Sequence, residues 1–164
     1  MRLVPLLVPM LLLAPTLAGA RAWRGVDPGK SRQDEVVERF GEPTTRKPEG
    51  ARTKLAYFGE QALAGTKQTQ FAVGEDGIVQ EITVFVATEL DKDSIEGTYG
   101  KSPEKTFTDE FLPVWIYRQA GVRVFFGKDG NVTAIQFSPA AAKPAPRSAE
   151  APASARPAPR ASTP

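Results

Sequence analysis

Gly74-Glu75-Asp76-Gly77-Ile78-Val79 and Gly127-Lys128-Asp129-Gly130-Asn131-Val132 follow one pattern, a Gly-x-Asp-Gly tetrapeptide leading into an apolar strand start. Asp favours the turn, and the second Gly takes a positive φ without a Cβ clash, so each reads as the tight connection of an antiparallel hairpin. A calcium loop would need several further oxygen ligands that neither copy carries. The apolar residues beyond stay in step: Ile82 and Val84 lie five and seven past Gly77, and Ile135 and Phe137 lie five and seven past Gly130. Upstream, Phe40-Gly41 returns as Tyr99-Gly100 and Tyr57 as Tyr117, in the same order. The offsets are 59, 60 and 53, which puts the extra residues of the first copy around Gln61 to Gly65. Matched order together with matched apolar spacing reads as an internal duplication.

Each copy predicts a helix followed by three strands. In the first, Ser31 is placed to cap, Asp34 to answer it, and Val36, Val37 and Phe40 form the apolar stripe. Gly41 and Pro43 then end the helix, since Gly accepts a left-handed stop and Pro cannot continue the turn. In the second, Ile95 and Tyr99 keep the i, i+4 pair and Gly100 the stop, while Gly97 weakens the interior by ~1 kcal/mol relative to Ala. The strands are expected at 53–58, 69–73 and 79–87, then at 114–119, 122–127 and 132–138. The fold class is therefore α+β: two tandem units, each a helix plus a three-stranded antiparallel meander, forming a sheet with helices on one face.

Alternation sorts the side chains. Leu55, Tyr57, Phe71, Val73, Ile82, Val84 and Val86 point one way in the first copy, and Trp115, Tyr117, Val122, Val124, Phe126, Ile135 and Phe137 in the second. The opposite face carries Glu81, Thr83, Arg123 and Thr133, and also Phe58, Phe85, Val114, Ile116 and Phe125. An open face with that many rings invites cover. The cover is either internal, by the tail, by the 101–113 segment or between the copies, or it is another protein. Phe58, Phe85, Ile116, Phe125 and Arg123 are the candidate partner-binding residues.

The ends differ from the middle. Met1-Arg2, an apolar run from Leu3 to Leu17, and Ala18-Gly19-Ala20-Arg21-Ala22 give the charged, apolar and small-residue order of a secretory signal, with cleavage taken after Ala22. Pro5, Pro9 and Pro15 interrupt a stretch barely long enough to cross a bilayer. The expectation is a periplasmic or secreted protein with no integral span after cleavage. Residues 140–164 are almost wholly Ala, Pro, Ser and Arg, which predicts a disordered, partly polyproline-like tail. The division is thus 1–22 signal, 23–88 first unit, 89–139 second unit, and 140–164 tail.

Charge and composition exclude several classes. The formal charge of +2 over 164 residues conceals a middle, residues 23–139, with 15 basic against 18 acidic residues, while the tail holds four basic against one acidic. A slightly acidic folded part argues against nucleic acid as a partner. The tail's positive charge could touch anionic lipid or cell-wall polymer. With no Cys and no His, cysteine and histidine nucleophiles, imidazole bases, the usual zinc sites and disulfides are all absent. The paired carboxylates Asp91/Asp93 and Asp109/Glu110 stand at helix or loop starts, where acids cap backbone N–H groups. No Gly-rich phosphate loop is present. No enzyme activity and no cofactor or metal are expected.

A helix ending in Phe40-Gly41-Glu42-Pro43, a Tyr57-centred strand, and Phe71 through Asp76-Gly77-Ile78-Val79 resemble the SmpA/OmlA family, the outer-membrane assembly factor BamE. Gly29-Lys30-Ser31 and Val36 add to the likeness, and Trp115-Ile116-Tyr117 looks like the family's W-x-Y. Two such units in tandem resemble the β-lactamase inhibitor protein architecture, whose members grip another protein with an exposed sheet face. The likeness covers about residues 29–139. The absent Cys departs from the lipid-anchored assembly proteins. The resemblance implies an exported, non-enzymatic binding module for another envelope protein, in envelope or outer-membrane assembly. The alternative is an inhibitor of a cell-wall or β-lactam-directed enzyme, with Glu60 or Asp109 as the residue entering the cleft.

Overall fold

Two short helices and eight strands make up the computed structural model, which describes residues 22–141. The expected signal segment apart from Ala22, and the expected tail apart from Ala140 and Ala141, lie outside the described residues. In chain order the elements are α1 (Gln33–Phe40), β1 (Thr45–Glu49), β2 (Arg52–Phe58), β3 (Thr66–Gly74), β4 (Val79–Val86), α2 (Lys92–Tyr99), β5 (Glu104–Phe107), β6 (Pro113–Tyr117), β7 (Val122–Phe126) and β8 (Val132–Phe137). The strands form one sheet, ordered β1-β2-β3-β4-β8-β7-β6-β5, and every neighbouring pair is antiparallel. The architecture is α+β.

Both Asp-Gly hairpins form as expected. Gly74 N–H donates to Ile78 O at 2.9 Å and Gly127 N–H to Asn131 O at 2.8 Å. The Asp76 and Asp129 carboxylates accept from the N–H two residues on, at 3.0 and 3.1 Å. Each hairpin is followed by a bulge. Ala72 pairs with Glu81 but Val73 with Val79, and Phe125 pairs with Ala134 but Phe126 with Val132, so Gln80 and Thr133 are the extra residues. The inward position after Val79 is therefore Ile82, three residues on, and after Val132 it is Ile135. All four are buried.

Two strands went unforeseen. The polar β1 adds to the edge of β2 and the four-residue β5 to the edge of β6, so each expected run of three strands becomes four. The 101–113 segment consequently extends the sheet edge instead of lying over a face. Both edges are poor templates for further pairing, because β1 carries Lys47 and Pro48, and β5 is short and carries Glu104 and Lys105. Ser31 is not the cap of α1 either. Arg32 takes that place without a side-chain bond. Ser31 Oγ instead accepts Asp27 N–H at 3.1 Å, one turn earlier, which commits it to the preceding bend. Asp91 does cap α2, accepting Ser94 N–H at 2.8 Å, and the Ser94 hydroxyl together with that N–H holds its carboxyl below the usual range.

The buried face carries Leu55, Tyr57, Phe71, Ile82, Val84, Val124, Phe126, Ile135 and Phe137, with Val36 of α1 and Ile95 of α2 in the same core. Phe40 at the end of α1 contacts Tyr57 and Phe71, and Trp23 joins Phe40 and Phe71. Tyr99 at the end of α2 sits 5.3 Å from Tyr117, and Trp115 meets Phe126 edge-on at 4.9 Å. Each helix stops at a positive-φ glycine, Gly41 or Gly100. Tyr57 Oη donates to Gly41 O at 2.9 Å and Tyr117 Oη to Gly100 O at 3.1 Å, so a buried phenol closes each helix end. Burial, with Glu42 adding repulsion, pushes the Tyr57 phenol up to about 12. Burial raises Tyr117 too.

Candidate functional site

The opposite face is ruled by register. Phe58 pairs with Gln68, Gln68 with Phe85, Phe85 with Ala134, Ala134 with Phe125, Phe125 with Val114 and Val114 with Thr106. This is one row across seven strands, with a phenyl ring on β2, β4 and β7, that is, on every second strand in space. The adjoining row runs Ala56, Gln70, Thr83, Gln136, Arg123 and Ile116. An aromatic row thus borders a row of amides, a hydroxyl and a guanidinium, which gives the face both apolar area and donors.

All five sequence-predicted residues lie on this face. Phe58 is 37% exposed, Phe85, Phe125 and Ile116 are half-buried, and Arg123 is exposed, with Nη1 donating to Gln136 Oε1 at 3.4 Å. Ile116 and Arg123 are directly paired, whereas Phe58 stands five strand positions from Ile116. Val114 differs from expectation. At 4% exposure it is sealed, because a short side chain beside Phe125 is recessed below the ring. Ala134, between Phe85 and Phe125, is sealed in the same way.

At the β5 edge, Arg118 Nε and Nη2 grip the Glu104 carboxylate at 2.5 and 2.8 Å, and the bidentate bond lowers the acid's pKa and raises the guanidinium's. An open cleft of about 650 Å³ is lined there by Tyr99, Ser102, Glu104, Ile116 and Arg118. Among the described residues no group of three or more Asp or Glu could hold a metal ion, and no helix is long and apolar enough to cross a membrane. Glu60 and Asp109 are exposed, in a 3-10 turn after β2 and in the β5–β6 connection.

Two features escaped sequence reasoning. Gln70 and Gln136, which flank the expected Thr83 in its row, could have been found, since each alternates with a buried apolar neighbour. Phe111 carried no signal. It lies in the β5–β6 hairpin, which Thr108 and Leu112 close through a backbone bond of 2.9 Å. Its φ is +58°, a region bulky side chains rarely enter, and its ring is 85% exposed. Phe107, at the start of the same hairpin, is 66% exposed.

No protein-family model and no curated protein matches the chain. Among solved structures, it is similar to a DUF4309 family protein (YjgB) from Bacillus subtilis, with a TM-score of 0.54 and 14% sequence identity, over 71% of this chain and 83% of that one. At that identity the likeness concerns the fold.

Proposed function

We propose that this chain is an exported, non-enzymatic module that docks another envelope protein on its open sheet face, as the likeness to SmpA/OmlA and β-lactamase inhibitor proteins implies. The observation that carries this reading is the ring row Phe58, Phe85 and Phe125, partly accessible and bordered by Gln70, Gln136 and Arg123. Covering such rings contributes ~1.5 to 3 kcal/mol each when complete, enough for a few to dominate an interface. Export rests on the charged, apolar and small-residue order of residues 1–22.

Two tandem units with their helices over the same sheet face are part of the proposal. Several pairs support it: Tyr57 to Gly41 with Tyr117 to Gly100, bulged Gln80 with Thr133, and Val79 N–H to Ser31 O with Val132 N–H to Leu90 O. The central β4–β8 register also exchanges with itself, Ile82–Phe137 for Val84–Ile135 about Thr83–Gln136. The test is a photo-crosslinking residue at position 85 in the native host. One recurrent envelope protein should appear as the adduct and vanish when Phe58 and Phe125 become Ser. Adducts no different from those of the same crosslinker at exposed Lys128 would refute the docking face.

The inhibitor reading is favoured by a separate observation, the strained and exposed Phe111 beside Asp109 and Glu110. A protruding ring flanked by acids suits a cleft with apolar walls and a basic rim. A panel of β-lactamases and transpeptidases assayed with and without the protein separates the two readings.

A further inference from the structure

We infer that the open face pairs with the same face of a second copy, about a two-fold axis that runs along the strands at the β4–β8 seam. This rests on the docking reading of that face and names its occupant when no other protein is bound. The seam is the middle of the sheet, with β1 to β4 on one side and β8, β7, β6 and β5 on the other. Two such sheets stacked with aligned strands, ~10 Å apart, place β2 over the second copy's β6, β3 over β7 and β4 over β8.

Each ring then meets a strand that carries none in its row. Phe58 lies over Val114, Phe85 over Ala134 and Phe125 over Gln68. Val114 and Ala134 are sealed below their neighbours, so they form hollows in a face whose rings are the projections. The adjoining row repeats the match. Ile116 lies over the sealed Ala56, Thr83 over Gln136 and Arg123 over Gln70. Hydroxyl meets amide there, and the guanidinium meets a carbonyl that accepts from it. An axis across the strands on the ring row would instead set each ring on its own counterpart and Ala134 on Ala134, with a void between.

Charge permits the contact. With Thr45 and Glu104 at its ends, the adjoining row holds one cation, Arg123, and one anion, Glu104, and the ring row holds neither. The axis sets neither charge against itself, since Glu104 falls over Thr45. The flanking cations Lys54 and Arg118 are already bound to Glu49 and Glu104 of their own chain. Area sets the strength. Eight strands at ~4.8 Å and two rows at ~6.8 Å span about 38 by 14 Å, roughly 1,000 Å² over both copies. That is the size of a weak, exchangeable interface, so self-pairing covers the rings and yields to a tighter binder.

Sedimentation of the protein purified from its native host should show a monomer–dimer equilibrium with a micromolar dissociation constant. Phe58→Val and Val114→Phe should each weaken the dimer at least about tenfold, and the double variant should recover most of the loss. The two positions stand five strands apart within one chain, so recovery reads a contact between copies. Phe125→Gln with Gln68→Phe is the same exchange at a second pair, and it decides the matter if Val114→Phe does not fold. The chain has no Cys, so Lys47→Cys carries one spin label per copy. Pulsed EPR should then read about 34 Å between labels, seven strand steps, whereas an axis across the strands gives ~10 Å. A monomer at every concentration, a dimer indifferent to the single variants, exchanges without recovery, or labels ~10 Å apart overturn the proposal. The position-85 probe keeps the two readings apart. An envelope adduct from a protein that stays monomeric leaves partner docking intact and removes the self-pairing. A dimer that passes the exchange test, with a second copy as the sole adduct in the host, keeps the self-pairing and removes the envelope partner.

Discussion

The two faces of one sheet are built from the same strands, yet they spend their aromatic rings differently. On the buried face Tyr57, Phe71 and Phe126 touch other rings and are sealed. On the open face Phe58, Phe85 and Phe125 stand on alternate strands with Gln68 and Ala134 between them, so ring is kept apart from ring. Contact among rings makes a core, whereas spacing leaves each edge and face for something else to touch. Composition of a strand does not decide which use is made. Phe125 and Phe126 are neighbours in β7 and belong to opposite regimes.

The largest expected effect tests that contrast directly. Phe71→Ala should cost ~3–5 kcal/mol through lost contacts and a cavity, a large share of the stability of a domain this size. Phe85→Ser should cost about 1 kcal/mol or less. Urea denaturation of both variants measures the gap, and equal losses would abolish the distinction between the faces.

A smaller effect concerns the phenols that close the helix ends. Tyr57→Phe removes the bond to Gly41 O and should cost ~1 kcal/mol at neutral pH. The Tyr57 phenol titrates near pH 12 in the fold against 10.0 in an ordinary setting, so the neutral form is the favoured one. Its contribution is complete below pH 10 and is lost as pH rises through 12. Stability of the parent should therefore fall across that window, and Tyr57→Phe should flatten the fall. An identical slope in the variant would mean that the buried phenol is not what resists alkali.

The smallest effect has the opposite sign. Phe111→Gly relieves a positive φ and should raise the unfolding midpoint by up to ~1 kcal/mol equivalent, less the entropy Gly adds to the unfolded chain. If the inhibitor reading holds, the same variant loses inhibition while gaining stability. A destabilised Phe111→Gly would instead make the ring a packing residue and bring that loop within the buried regime.

Much of this arrangement was legible in the chain. The Asp-Gly turns, the Gly41 and Gly100 stops and most inward positions follow from glycine geometry and alternation. What escaped has physical causes. The sequence of β1, Thr-Arg-Lys-Pro-Glu, faces solvent along nearly its whole length, so no period of two exists to read. Val79 and Val132 fall out of the alternation because the bulges at Gln80 and Thr133 insert a residue before Ile82 and Ile135. Ser31 has the chemistry of a cap, and a competing N–H one turn earlier takes it. The five residues of the open face were legible as a set, since alternation alone puts them opposite the core. Their order in a row was not, because cross-strand partners depend on how β4 meets β8, and no local turn joins those two strands.

Lys47 and Pro48 at one rim and the short, charged β5 at the other give the sheet a fixed width. Among the described residues, both rims therefore disfavour strand-to-strand pairing between crowded molecules. Self-association at high concentration should then depend on face-to-face contact, with a strength that varies with Phe58, Phe85 and Phe125.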